Sequence, residues 1–246
     1  MSLKKKLMSL FILTAICLFA FLIFRDKSKK SYIYYDFGEI IPDAYQILGI
    51  DVSHHQGEIN WQEVDEMSSD GDSIHFAYLK ATEGTAYEDD RCYENAVGAR
   101  EIGLPYGLYH FFRPDFSARK QAIFFANKCA TLNDTLRPML DVESNGNFGQ
   151  SRLIDSVFVF MHTFEKRMKM KPIIYTFESF YEDYFRDSYL KNNFFWIANY
   201  NGESNAIENE NVIMWQFSET GTVDGISTKV DLNVAKSSFN DVMYQD

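Results

Sequence analysis

Two carboxylates set two residues apart, Asp141 and Glu143, stand in the stretch Arg137 to Gly146, RPMLDVESNG. The apolar pair Met139 and Leu140 delivers them as the end of a short buried strand, which Pro138 can only begin and which Asn145 and Gly146 end as turn residues. Side chains on a strand alternate between faces, so Asp141 and Glu143 are expected to share one face, with Val142 turned into the packing behind them. Two closely held carboxyls cannot both ionise freely, and one is pushed towards the neutral form that donates a proton. Such a pair suits glycosidic bond cleavage. The plainer reading is a pair of acids capping a turn; what separates the two is whether other acids arrive alongside.

Positioning them is a task for the rest of the chain. Apolar, strand-like runs at 47–53, 73–81, 105–112, 137–143, 172–177, 194–200, 212–217 and 228–232 alternate with helical spacing at 61–68, 90–102, 117–132 and 153–168. Gly103 closes the second of these helices, and Ala122, Phe125, Ala126 and Cys129 form an apolar face on the third. Strands buried on both faces read as continuous apolar runs, so this alternation predicts an α/β fold, an irregular, flattened (β/α) TIM-like barrel. Little helix separates the last strands, and an antiparallel portion is expected there. Barrels gather chemistry at the C-terminal ends of strands. Those ends carry Asp51 with Ser53, His54 and His55; Lys80 and Glu83; Tyr109, His110 and Phe111; Asp141 and Glu143; Tyr175; Trp196 and Tyr200; Trp215 and Gln216; and Asp231 and Asn233. Aromatic faces pack on pyranose rings while carboxylates handle protons and oxocarbenium charge. Taken singly, Tyr109, Phe111 and Trp215 read first as core residues.

Composition sets the outer limits. The 246 residues are 46% hydrophobic, 16% aromatic and 24% charged, which suits one globular domain. The formal net charge is -11, yet the first thirty residues hold seven of the 24 Lys and Arg and a single acid, Asp26. The remainder has 17 basic against 34 acidic residues, a balance of -17 that disfavours nucleic acid as a partner. Within residues 1–30, Lys4, Lys5 and Lys6 precede an uncharged apolar run from Leu7 to Phe24, followed by Arg25, Lys27, Lys29 and Lys30. Such a run just suffices to span a bilayer as a helix. Leu18, Phe19, Phe21 and Leu22 crowd the only cleavage-type residue, Ala20, so an uncleaved N-terminal anchor is expected rather than a removed signal. The expected organisation is an anchor over 1–30, a linker over 31–46 and a catalytic domain over 47–246. The domain would lie outside the cytoplasm on a single N-terminal span; secretion after cleavage is the alternative. Cys92 and Cys129 fall in predicted helices, where a disulfide and two small core residues are both compatible readings.

Several segments resemble glycoside hydrolase family 25, the N-acetylmuramidases called Chalaropsis-type lysozymes. They are GIDVSHHQGEINW (Gly49 to Trp61), FAYLKATEG (Phe76 to Gly84), YGLYHFFRP (Tyr106 to Pro114), MLDVES (Met139 to Ser144), IIYT (Ile173 to Thr176), WIANY (Trp196 to Tyr200), WQFSETGTVDGI (Trp215 to Ile226) and VDLN (Val230 to Asn233). The resemblance runs in order from about residue 47 to 240. It implies hydrolysis, without a cofactor, of the β-1,4 bond between N-acetylmuramic acid and N-acetylglucosamine in peptidoglycan glycan strands. By the same resemblance Glu143 matches the general acid, Asp141 its partner, and Asp51 and Asp231 the two other acids. Tyr175 and Trp196 match positions that line the sugar channel, and Tyr78, His110 and Tyr200 join them as expected substrate contacts. His55 stands where the family usually has an aromatic residue. Retention of configuration is expected, either by direct carboxylate attack or, favoured by the tight Asp-x-Glu spacing, through the substrate's own 2-acetamido group. Two rival readings are a glycan-binding module or membrane-tethered scaffold without catalysis, and a metal-dependent hydrolase using His54, His55, His75 or His110. No His-x-His or Cys cluster supports a metal centre, and a monomer is expected.

Overall fold

The computed structural model describes residues 31–34, 39–42, 45–67, 73–132, 135–202, 209–236 and 242. The expected N-terminal apolar helix at residues 7–24 lies outside the described residues. Part of the stretch expected as a linker is instead an antiparallel hairpin of β1 (Ser31–Tyr34) and β2 (Glu39–Pro42). Its sequences, SYIY and EIIP, are rich in the aromatic and β-branched residues that favour strands.

The eight expected strands close into a barrel. They are β3 (Tyr45–Val52), β4 (Phe76–Glu83), β6 (Tyr106–Phe111), β7 (Met139–Asp141), β8 (Ile173–Phe177), β9 (Phe195–Ala198), β10 (Val212–Gly221) and β11 (Val230–Lys236). A two-residue strand, β5 (Tyr87–Glu88), pairs with the end of β4 outside the ring. Neighbours from β3 through β10 are parallel, and β11 runs against both β10 and β3. The antiparallel portion thus falls at the end, and it corrects one expectation. Asp231 begins β11 instead of ending it; it still reaches the mouth because a reversed strand presents its first residues where parallel strands present their last.

Four helices follow strands: α1 (Trp61–Glu66), α2 (Cys92–Glu101), α3 (Ala118–Leu132) and α4 (Gln150–Met168). After β8 comes only a short helical stretch, Glu178–Phe180 continued by Tyr181–Phe185. Among the described residues no helix separates β9, β10 and β11. Gly98 lets α1 meet α2, since a Cβ there would sit 2.1 Å from the Trp61 ring. Two apolar layers hold the barrel. Outside, Leu79, Ala81 and Leu108 face helices through Phe125, Phe160 and Phe164, whose rings pack on one another. Cys92 and Cys129 are buried in this layer.

Inside, Phe76, Tyr78, Met139, Ile173, Trp196 and Met214 fill the barrel below the mouth. Two glycines make room for the largest of them: a Cβ on Gly49 would lie 2.3 Å from the Phe76 ring, and one on Gly107 2.5 Å from the Tyr78 ring. The barrel is therefore plugged by aromatics, and the polar inward residues above them form the floor of a cleft.

Candidate active site

Asp51 near the end of β3 and Asp231 at the start of β11 are direct cross-strand partners, which places their Cβ atoms about 4.5–5.5 Å apart. The Asp51 carboxylate is the hub of the site. Its Oδ2 accepts from Gln216 Nε2 at 2.9 Å and Asn233 Nδ2 at 2.8 Å. A third hydrogen bond joins it to Asp231. Burial pushes Asp51 up, and these three hydrogen bonds pull it back. Asp231 is pushed up to about 8, by burial first and then by the Asp51 charge. Asp231 therefore carries the proton of this pair at neutral pH, and Asp51 carries the charge.

The orientation of Gln216 is set from its other end. Its Oε1 accepts from Tyr175 Oη at 2.7 Å and from Tyr200 Oη at 2.6 Å, which leaves only the amide nitrogen to face Asp51. Two phenols and one carboxamide thus select the anionic form of an acid four strands away from Tyr175. Gln216 and Asn233 were legible as strand-end residues, since each lies two positions along its strand from another inward residue, but spacing alone gives no hint of this relay.

Asp141 closes β7 beside Tyr175 on β8, and Tyr175 lies beside Trp196 on β9. Asp141 is 6% exposed, and its Oδ1 has no hydrogen-bond partner in the protein. Burial raises it well above the usual carboxylate range, and the charges of Glu143 and Asp51 add to the rise. Glu143, just past the strand, is only partly buried. Burial and then the Asp51 charge raise its pKa, while Lys80 and the nearby Tyr175 hydroxyl oppose the rise. Val142 is fully buried in the outer layer, as its alternation required. The four acids named from sequence thus meet at one mouth.

One cation tempers them. Lys80, 8% exposed, lowers both Asp141 and Glu143 and is held by Glu83 at 2.8 Å. Glu83 in turn accepts from Arg113 Nε at 2.8 Å and Nη2 at 2.5 Å. Tyr109, inward on β6 and 9% exposed, has its phenol raised well above 10 by burial and by the surrounding carboxylates, so it stays a neutral donor.

The expected substrate contacts divide. Tyr175 and Tyr200 stand in the mouth, Tyr200 being 42% exposed. Trp196 is fully buried beneath them, its ring 5.4 Å from Tyr175 and 4.9 Å from Tyr78, with its Nε1 lacking a hydrogen-bond partner. Tyr78 and His110 lie elsewhere. The Tyr78 hydroxyl points away from the mouth and donates to the Arg137 carbonyl at 2.8 Å, because its inward position lies below Lys80 on the same strand. His110 falls on the outward phase of β6, where Thr82 Oγ1 and Gln121 Oε1 satisfy its ring nitrogens at 2.7 and 3.1 Å.

The histidines do not converge as a metal centre would require. The chain leaves β3 at Val52, and Ser53 caps a single turn, His54–Gln56, its own N–H donating in return to the Gln56 side-chain oxygen. That turn stacks His54 and His55 with ring centroids 4.0 Å apart, where a continuing strand would have split them. His54 Nδ1 pairs with Asp89 Oδ2 at 2.7 Å, and Asp90 completes a group of ligand-type atoms within 4.8 Å. His75 precedes β4 at the opposite end of the barrel, and His110 is in the outer layer.

The comparisons with known proteins agree with this geometry. The sequence model of glycosyl hydrolases family 25 matches residues 50–226. Lysozyme M1 of Streptomyces globisporus is 35% identical over 205 residues, covering 78% of this chain and 68% of that protein. The Escherichia coli K12 protein YegX is 35% identical over 202 residues, covering 82% of this chain and 74% of the other. A family 25 glycosyl hydrolase from Bacillus anthracis superposes with a TM-score of 0.71 at 26% identity, covering 85% of this chain and 97% of that one. The bacterial lysozyme of Streptomyces coelicolor does so at 0.66 and 31% identity, covering 80% and 94%. With the model match spanning well over half of its length and its acids gathered at one barrel mouth, the chain belongs to glycosyl hydrolases family 25.

Proposed function

We propose that the protein is a lysozyme, an N-acetylmuramidase that hydrolyses the β-1,4 bond between N-acetylmuramic acid and N-acetylglucosamine in peptidoglycan, with retention of configuration, on a flattened (β/α) barrel. The observation that carries this reading is the division of labour among four acids at one mouth. Glu143 is the partly exposed acid whose surroundings favour the protonated form, so it protonates the leaving oxygen as the glycosidic bond breaks. Asp51 is the one whose charge is held by three hydrogen bonds, which suits stabilising the oxocarbenium charge more than attacking carbon. Asp141 offers a buried Oδ1 without a protein partner, an acceptor for the N–H of the substrate's 2-acetamido group as its oxygen attacks the anomeric carbon. Glu143, now ionised, then takes a proton from the water that opens this intermediate. Tyr175, Tyr200 and the Trp196 floor shape the sugar site.

Glu143→Gln keeps the shape without the proton, and hydrolysis should fall by about 10² to 10⁴-fold on general-acid grounds. Mass spectrometry of products from defined muropeptides reads this as loss of new N-acetylmuramic acid reducing ends. Undiminished release would remove Glu143 from the mechanism, and a chain that retains peptidoglycan without ever freeing reducing ends would be the binding module instead. A substrate without the 2-acetamido group, cleaved as fast as the natural one, would overturn the substrate-assisted route.

The reading extends to location. Residues 7–24 hold a monomer in the membrane with the barrel outside the cytoplasm, the apolar run between two basic flanks being its support. Among the described residues no helix is long and apolar enough to cross a membrane. Recovery of the full chain, N-terminus intact, in the membrane fraction is the expected result; an N-terminus starting past residue 20 in the medium would favour secretion.

A further inference from the structure

The acidity of the domain is unevenly spread. Of the 17 Lys and Arg beyond residue 30, six belong to one region at the end of the barrel opposite the mouth: Arg137, Lys166, Arg167, Lys169, Lys171 and Lys191. Arg137 precedes β7, the next four end α4 or follow it before β8, and Lys191 precedes β9. Local contacts tie them together. The Arg137 guanidinium lies 5.3 Å from the Phe194 ring centroid and donates to the Lys171 carbonyl at 3.1 Å. Lys169 Nζ donates to the Lys166 carbonyl at 3.2 Å. An open groove of about 410 Å³ runs between Arg137, Lys169, Lys171 and Phe194, with Glu165 the one acid on its wall among the described residues.

Acids hold five of the eleven other cations beyond residue 30. Salt bridges to carboxylates hold Lys80, Arg91, Arg113, Lys128 and Arg186. Among the described residues none joins Lys166, Arg167, Lys169, Lys171 or Lys191 to an acid, and all five are exposed. The C-terminal dipole of α4 accounts for Lys166 and Arg167. It does not account for Lys171 or Lys191, which come from other segments.

The path of the chain supplies the second observation. β3 runs from Tyr45 to the mouth at Asp51, and Tyr45 pairs with Lys236 at the far end of β11. The polypeptide therefore enters the barrel at the same end as the basic groove. The apolar run ends at Phe24, and the 21 steps from there to Tyr45 reach at most about 70 Å even if fully extended.

We infer that this basic end of the barrel is a docking surface for anionic lipid headgroups, which seats the barrel on the membrane with its mouth turned towards the wall. The inference rests on the reading that residues 7–24 are a retained anchor. Clustered Lys and Arg beside a membrane segment are drawn to anionic lipid, on the order of fivefold for each residue near the surface. Lys169 and Lys171 line the groove, Lys166, Arg167 and Lys191 are exposed beside it, and the partly exposed Phe194 and Met170 sit among them.

The test reconstitutes the full chain into phosphatidylcholine vesicles with and without phosphatidylglycerol and follows hydrogen exchange of backbone amides. Segments 166–172 and 191–194 should exchange several-fold more slowly when phosphatidylglycerol is present, and loops at the mouth should not change. Lys169→Gln, Lys171→Gln and Lys191→Gln together should abolish that slowing while cleavage of soluble muropeptides stays at the parent rate. Equal exchange in the two vesicle types, or slowing that survives the triple variant, would overturn the docking surface. Slowing by a lipid-free phosphate polymer as strong as that by phosphatidylglycerol would also overturn it, in favour of a general polyanion site. Flotation with phosphatidylcholine alone reports on the anchor separately. Should the chain fail to float there, flotation that depends on phosphatidylglycerol and is lost in the triple variant would still support the surface, and absence of both would refute it.

Discussion

At the scale of single residues, the site works by making like groups unlike. Four carboxyls share one mouth, and hydrogen bonds decide which of them is charged. Asp51 receives three, Asp141 Oδ1 none, and Asp231 keeps a proton up to about pH 8. The stability consequence has a definite sign. Asp231 has a folded-state pKa above its unfolded value of about 3.9, so its contribution is complete below that pH and is lost as pH rises towards 8. Asp231→Asn keeps a donor for Asp51 and removes the titration. The variant should therefore lose less stability than the parent between pH 5 and about 8, as read by urea midpoints across that range; parallel curves for the two proteins would show that Asp231 does not hold the proton.

At the scale of elements, alternation along each strand sorts residues between cleft and helical layer. β6 shows this most plainly: Tyr109 turns into the mouth, and His110 next to it turns outward to join β6 to α3 through Gln121. Burial lowers the His110 pKa to about 4. It is neutral when folded but takes a proton at about 6.5 when unfolded, so its contribution is present above pH 6.5 and lost as pH falls towards 4. His110→Leu should cost about 1–3 kcal/mol by leaving Thr82 Oγ1 and Gln121 Oε1 short of a partner, and should remove that part of the acid sensitivity. Activity of the folded variant should stay near the parent's; a drop as large as that expected for Glu143→Gln would return His110 to the cleft.

At the scale of the whole molecule, charge is organised along the barrel axis. The domain beyond residue 30 is strongly acidic, with its buried acids at one end and the groove of Lys169 and Lys171 at the other. Approach to an anionic wall through the acidic end is opposed by long-range repulsion, which salt screens from a Debye length of about 30 Å at 0.01 M to about 8 Å at 0.15 M. Hydrolysis of intact wall should accordingly rise over that range, by kcat/KM more than by kcat, and hydrolysis of a short neutral glycan should stay flat. A fall with added salt on intact wall would mean that local attraction at the cleft outweighs the net charge.

The amino-acid sequence by itself determined the eight barrel strands, the acids Asp51, Asp141, Glu143 and Asp231, and the reversal near the end, because these rest on local periodicity and on residue types that stand out. It could not place Tyr78 and His110, since a strand's pattern shows that two faces exist but not which of them turns inward. Nor did it reveal the relay from Tyr175 and Tyr200 through Gln216 to Asp51, whose members are up to 165 positions apart. Only the tertiary structure decided which acid holds the charge, because that depends on hydrogen bonds and burial created when the barrel closes and β11 comes to lie between β10 and β3.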